Sequence, residues 1–210
     1  MGQSGRFITL EGGEGTGKST LIKGLATRFA ERGHTVITTR EPGGTALAEE
    51  VRTLALTPPV EGEWSPLAHA LLMNTARDDH LNQVIRPALA RGDWVICDRF
   101  SDSTLAYQSI DGVDVAALVR LQEIVVGETA PDLTLVLDAP PSALFDRRRQ
   151  RDTSDVFEAK DLTFHDRVRG AFLAIADTYV ELCVVLDALQ SPEELLKAAL
   201  AVIDARWATT

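Results

Sequence analysis

The chain has 210 residues, is 45% hydrophobic and 25% charged, and carries a formal net charge of -10. This balance fits a globular protein whose single core buries roughly 70% of the unfolded surface without a metal or disulfide staple, and it excludes disordered, collagen-like and coiled-coil chains. The negative charge argues against a general nucleic-acid binder or a protein held on an anionic membrane, and no stretch approaches the ~20 apolar residues of a membrane span.

Apolar, β-rich runs alternate with helical patterns along the chain. Phe7 to Leu10 reads as a strand, Lys18 to Arg32 as a helix closed by Gly33, and Thr35 to Thr39 as a second strand. Leu47 to Leu56 reads helical and stops at Pro58-Pro59; Ser65-Pro66 opens a helix toward Arg77, and Leu81 to Arg91 is helical again across Pro87. Trp94 to Cys97 is a third strand, Asp114 to Gly127 a helix and Leu133 to Leu137 a fourth strand. Pro141 to about Gln150 reads helical, 151 to 161 as a loop poor in apolar residues, and Leu162 to Leu182 as a long helix. Cys183 to Leu186 is a fifth strand, and a final helix runs from Ser191 to Trp207 with Ser191 as its cap. Short strands, apolar on both faces and separated by helices, predict a doubly wound α/β fold with a parallel five-stranded sheet. No repeat or linker divides the chain, so residues 1–210 are expected to form one domain. Met1 to Arg6 lacks the apolar run of a signal peptide, and Cys97 and Cys183 each lie inside apolar runs, which points to buried thiols and a cytoplasmic location.

Ligands of such sheets bind at the carboxyl ends of the strands, and the unusual residues cluster there. After the first strand comes Gly12-Gly13-Glu14-Gly15-Thr16-Gly17-Lys18-Ser19-Thr20, a match to G-x-x-x-x-G-K-[ST] between a predicted strand and helix. Its glycines let backbone N–H groups turn inward on phosphate, Lys18 reaches the β- and γ-phosphates, and the Ser19 hydroxyl suits Mg²⁺. Binding of a nucleoside triphosphate follows; a nucleotide-gated switch and a kinase for a small acceptor both remain open.

The second strand runs into Thr39-Arg40-Glu41-Pro42-Gly43-Gly44-Thr45 and the third into Asp98-Arg99-Phe100. Guanidinium groups at neighbouring strand ends suit an acceptor that already carries a phosphate, and Asp98 falls where a second oxygen donor for Mg²⁺ belongs. Met73 and Arg77, four apart on a predicted helix, share a face. Arg147, Arg148, Arg149 and Arg151 form a basic island in an acidic chain.

These stretches, with Ser103-Thr104-Leu105-Ala106-Tyr107-Gln108 and Pro131 to Asp138, resemble thymidylate kinases over nearly the whole chain. The resemblance implies a P-loop nucleoside monophosphate kinase-like fold, a cytoplasmic homodimer, and transfer of the ATP γ-phosphoryl group to dTMP with Mg²⁺. It implies that Glu14 accepts a hydrogen bond from the sugar 3′-hydroxyl, that Arg40 and Arg99 bind the dTMP phosphate, and that Arg77 meets the thymine carbonyl edge. Ser103 and Gln108 would line the base pocket, Tyr107 would crowd the sugar 2′ position, and Asp98 would hold Mg²⁺ through water. With Gly15 after Glu14, the loop lacks the arginine of one style in the family. Arg147, Arg149 and Arg151, on a lid of about residues 146–162, match the bacterial style, with Arg151 over the transferring phosphoryl. Met73 stands where the family usually has a Phe that stacks on thymine, and Val156, in Asp155-Val156-Phe157-Glu158, where the lid usually has an Arg. A kinase for another nucleoside monophosphate such as dUMP is the alternative enzyme, and a nucleotide-regulated switch the alternative of a different class.

Overall fold

Five short runs rich in Val, Ile and Leu become five strands: β1 (Arg6–Gly12), β2 (Val36–Arg40), β3 (Trp94–Asp98), β4 (Leu133–Asp138) and β5 (Cys183–Asp187). In the computed structural model, which describes residues 5–57, 62–144 and 161–207, they form one parallel sheet in the order β2-β3-β1-β4-β5. The three inner strands are buried on both faces, whereas β2 and β5 at the edges alternate and leave side chains such as Val185 half-exposed.

The helices are α1 (Lys18–Glu31), α2 (Ala46–Leu56), α3 (Pro66–His80), α4 (Arg86–Ala90), α5 (Ser101–Ile110), α6 (Val115–Val126), α7 (Leu162–Thr178) and α8 (Pro192–Trp207). On one face of the sheet Leu21, Leu25 and Phe29 of α1 and Leu195, Ala199 and Ile203 of α8 pack on Ile8, Leu10, Ile96 and Leu135. On the other, Leu81, Ile85 and Ala88 cover Phe7, Val95 and Cys97, while α5, α6 and α7 enclose Val136 with Tyr107, Leu118 and Phe172. Each large side chain so enclosed contributes roughly 1.5–3 kcal/mol relative to exposure. Both cysteines are buried free thiols. No helix among the described residues is long and apolar enough to cross a membrane.

Three elements differ from the sequence reading. Helix α5 carries no clear apolar period, because it buries Ser101, Thr104 and Gln108 as well as Leu105 and Ala106; it meets polar groups of the cleft as well as the apolar cluster around Phe172. Between α3 and α4 the chain makes a π-type turn over Leu81–Ile85, which widens the helix just ahead of Pro87, where the ring crowds the preceding turn and no N–H is available. Helix α7 stops at Thr178, not Leu182; Leu182 N–H turns back to Tyr179 O at 2.8 Å, and Val180 is left exposed. Pro141–Leu144 is a 3-10 turn. The rest of the helix expected to Gln150, and the lid positions Arg147, Arg149, Arg151 and Val156, lie outside the described residues, while Asp161 already caps α7.

Candidate active site

Parallel pairing brings Gly12, Arg40 and Asp98 to one edge of the sheet: Leu10 and Arg40 both stand in register with Asp98, and Gly12 with Leu137. A cleft of about 610 Å³ opens there, at the kind of crevice open α/β sheets leave beyond their strand ends.

The loop after β1 forms its floor. Gly12 has φ 125°, and a Cβ on it would lie 2.3 Å from Leu137 O, so only glycine lets β1 turn away this close to β4. Gly17 caps α1 from the left-handed region, and the Thr16 hydroxyl closes the loop onto Gly13 O at 3.0 Å. Lys18 is buried, its Nζ donating to Gly12 O at 3.1 Å and Gly13 O at 2.9 Å. Burial, with the Arg99 charge beside it, holds its ammonium below the ordinary lysine pKa. Ser19 follows on the first turn, its hydroxyl donating to Asp98 Oδ2 at 3.1 Å.

One wall is the turn from β3 into α5. Arg99 adopts φ 67°, a conformation costly for a residue with a Cβ. Its Nη1 donates to Gly12 O at 2.9 Å and to the Ser103 hydroxyl at 3.1 Å, and Nη2 to Glu14 Oε1 at 2.5 Å. The guanidinium lies 5.4 Å from the centre of the Tyr107 ring. Behind it is Glu11, fully buried, whose Oε1 accepts Phe100 N–H at 2.7 Å and Ser103 N–H at 3.3 Å while Oε2 accepts the Ser103 hydroxyl at 2.6 Å.

The opposite wall comes from β2, α2 and α3. Arg77 is buried and almost fully engaged: Nε donates to Glu41 Oε2 at 2.7 Å, Nη1 to Asn74 Oδ1 at 3.1 Å, and Nη2 to Phe100 O at 3.1 Å and Thr104 Oγ1 at 2.9 Å. Of the five guanidinium N–H groups, one on Nη1 is left over among the described residues. Glu41 also takes His80 Nδ1 at 3.0 Å; its carboxylate offers only lone pairs, so Nδ1 carries a proton, and in the neutral ring Nε2 accepts from the Thr39 hydroxyl at 2.7 Å. Arg40, half-exposed at the rim, donates to Glu49 Oε2 at 2.9 Å. Met73 packs with Ala55 and Leu56 and still lines the cleft, as do Tyr107 and Gln108. The buried Gln108 Nε2 has no hydrogen-bond partner among the described residues.

Every predicted site residue from Glu14 to Ser19 except Thr16, and Arg40, Met73, Arg77, Asp98, Arg99, Ser103, Tyr107 and Gln108, therefore faces or borders one cavity. Thr16 closes the loop from behind, Gly12 and Gly13 belong to its backbone, and Thr20 lies in the first turn of α1, its N–H on Gly17 O. Sequence reasoning missed Asn74 and Thr104 as partners of Arg77, Glu11 behind Ser103, His80 on Glu41, and Arg52 in the cleft wall. An acid closing the apolar run Phe7-Ile8-Thr9-Leu10 was the available signal for Glu11. Among the described residues no group of three or more His, Cys, Asp or Glu could hold a metal ion.

Burial, with Asp102 adding to it, raises the Glu11 carboxyl above its ordinary range, while Arg99, the Ser103 hydroxyl and Phe100 N–H pull it back toward the carboxylate. A raised acid favours the fold in its protonated form, so this contribution to stability is fully present below about pH 4.5 and is lost as pH rises through the raised value. Glu11→Gln, which does not titrate, is therefore expected to show a melting temperature that falls less steeply than the parent's across that window in thermal-melt series. Parallel curves would show that Glu11 does not titrate there.

A family model described as thymidylate kinase matches residues 10–199. A thymidylate kinase of Caulobacter vibrioides is 50% identical over 185 residues, covering 88% of each chain. One of Alcanivorax borkumensis is 44% identical over 202 residues, covering 96% of this chain and 97% of the relative. The crystal structure of thymidylate kinase from Ehrlichia chaffeensis superimposes with a TM-score of 0.77 at 32% identity, covering 95% of this chain and 99% of the other.

Proposed function

Because the chain belongs to the thymidylate kinase family, we propose that its cleft passes the γ-phosphoryl group of ATP to dTMP, giving dTDP and ADP on the way to dTTP. The observation that carries this reading is the single cavity in which a phosphate loop forms one side and Arg40, Arg77 and Arg99 the others. A donor triphosphate on the loop then points at a second, singly phosphorylated nucleotide.

The residues divide the work. Loop N–H groups and Lys18 hold the β- and γ-phosphates in line with the acceptor. Arg99 and Arg40 grip the dTMP phosphate. Among the described residues the hydrogen bonds of Arg99 leave its Nε–H and one Nη2 N–H for that task. The remaining Nη1 N–H of Arg77 meets a thymine carbonyl. Met73 supplies an apolar wall without a ring face, Gln108 a buried amide donor, and Tyr107 closes the sugar 2′ side. Glu14, already on Arg99, receives the 3′-hydroxyl. The acceptor phosphate is anionic at pH 7, so no strong general base is required. Ser19 and Asp98, a hydroxyl and a carboxylate 3.1 Å apart, fit the hard-oxygen preference of Mg²⁺ and would hold it, directly or through water, where it offsets phosphate charge. Arg147, Arg149 and Arg151 belong to the closing lid of this single unit, residues 1–210, with Arg151 over the transferring group.

We further propose a homodimer through α3 and α6, where Leu67, Leu71, Val115 and Ile124 are exposed, and a cytoplasmic site of action, consistent with the two free thiols. A coupled ADP-release assay across nucleoside monophosphates tests the function. ADP release is expected to require an acceptor and to be fastest with dTMP. Preference for another monophosphate would reassign the substrate, and release without any acceptor would make the protein a hydrolytic switch.

A further inference from the structure

The dTMP-phosphate role of Arg99 leaves a question of how that guanidinium is held. Arg99 follows β3 with a left-handed backbone, φ 67°, and an arginine has many rotamers to lose. Three anchors fix it: Gly12 O, Glu14 and the Ser103 hydroxyl. Two of them belong to the phosphate loop. The third belongs to α5, and the serine is itself tied down from behind. With Glu11 ionised, the serine proton goes to Oε2 at 2.6 Å, so the serine oxygen is free to accept Arg99 Nη1–H at 3.1 Å. Glu11 Oε1 meanwhile takes the N–H groups of Phe100 and Ser103 at 2.7 and 3.3 Å, two donors at the start of α5. One side chain thus sets both the direction of the serine hydroxyl and the start of the helix that follows Arg99.

We propose that Glu11 is a positioning residue for the acceptor-phosphate clamp, acting on Arg99 through the Ser103 hydroxyl. The inference rests on the proposed role of Arg99 in binding dTMP. Glu11 is 0% exposed and cannot touch substrate. Its placement is costly to the fold, since a buried carboxyl needs every partner it can find; a purely structural position at the end of an apolar strand would be better filled by an apolar side chain. The cost is met where a guanidinium must be aimed. Ser103 lines the cleft, but its proton is held by Glu11 and one lone pair by Arg99, and its contribution to dTMP is through the clamp.

The test compares binding of dTMP with binding of thymidine, which lacks the phosphate, in the parent, Glu11→Gln, Ser103→Ala and the double variant, by calorimetric titration. Glu11→Gln keeps the side-chain volume and the acceptor for α5, but sets an N–H where the serine needs a lone pair. Each single variant is expected to weaken dTMP about tenfold, the scale of one charge-assisted hydrogen bond, with thymidine affinity unchanged. The double variant is expected to be no weaker than the singles, because both break one relay. Equal weakening of dTMP and thymidine, unchanged dTMP affinity, or multiplied effects in the double variant would overturn the proposal. Should Glu11→Gln fail to fold, the dTMP-against-thymidine comparison in Ser103→Ala decides alone. A parent protein that binds no dTMP would instead overturn the functional reading beneath it.

Discussion

Replacing Lys18 by alanine is expected to lower kcat for ADP formation about 10²–10³-fold, with the melting temperature of the nucleotide-free protein unchanged or raised. The two halves of that expectation have one cause. Lys18 is an ammonium buried against two carbonyls, with no carboxylate in salt-bridge contact among the described residues and with Arg99 opposing it. A buried cation in that setting costs stability until an anion arrives. A triphosphate supplies the anion, and the charge that grows on the transferring group is then met by a cation already in place. Lys18→Met, which keeps the stem and removes the charge, should reproduce both effects. Melting curves with and without ATP, alongside steady-state rates, check them. Full activity in either variant would remove the lysine from the chemistry.

Arg151→Ala is expected to lower kcat about 10³-fold while changing the KM for dTMP only a few-fold. Gly15 gives the first reason. Its φ of 81° is one that side chains with a Cβ rarely adopt, so the loop in this form is poorly suited to carry an arginine of its own. Arg99 and Arg77 are held by partners on the acceptor side, and Arg40 stands at its rim. Beyond Lys18, charge on the γ-phosphoryl oxygens calls for a second cation delivered from outside the described residues, and Arg151 is the position the family resemblance points to. Single-turnover rates beside steady-state constants would show whether chemistry or binding is lost. Unchanged turnover would move the catalytic cation to Arg147 or Arg149.

The sequence was most readable where chemistry is contiguous. Gly12 to Thr20 is one uninterrupted stretch whose loop and helix follow from local backbone rules, and the apolar runs of the inner strands announce a sheet covered on both faces. Reading failed where the partner is remote. Nothing local ties Glu11 to Ser103, or Arg77 to Glu41 and His80; the sheet register and the path of α3 create those contacts. Helix α5 was unread for a related reason. Its buried face is built from Ser101, Thr104 and Gln108 as much as from apolar residues, so a pattern search based on hydrophobicity finds no stripe. Tyr179, Val180 and Leu182 misled in the opposite sense, apolar side chains that continue the look of α7 after the helix has ended.

The wide turn at Leu81–Ile85 has a bearing on how genes of this kind can drift in length. It sets the phase between Met73 and Arg77, which look toward the cleft, and Leu81, Ile85 and Ala88, which look toward the underside of the sheet. A single codon lost there would restore regular winding and rotate one half against the other by about 100°. Such a deletion would barely register in a pairwise comparison, yet it would swing Met73 and Arg77 away from the cleft. Length variation between relatives should therefore be tolerated in surface connections and purged from this one bend.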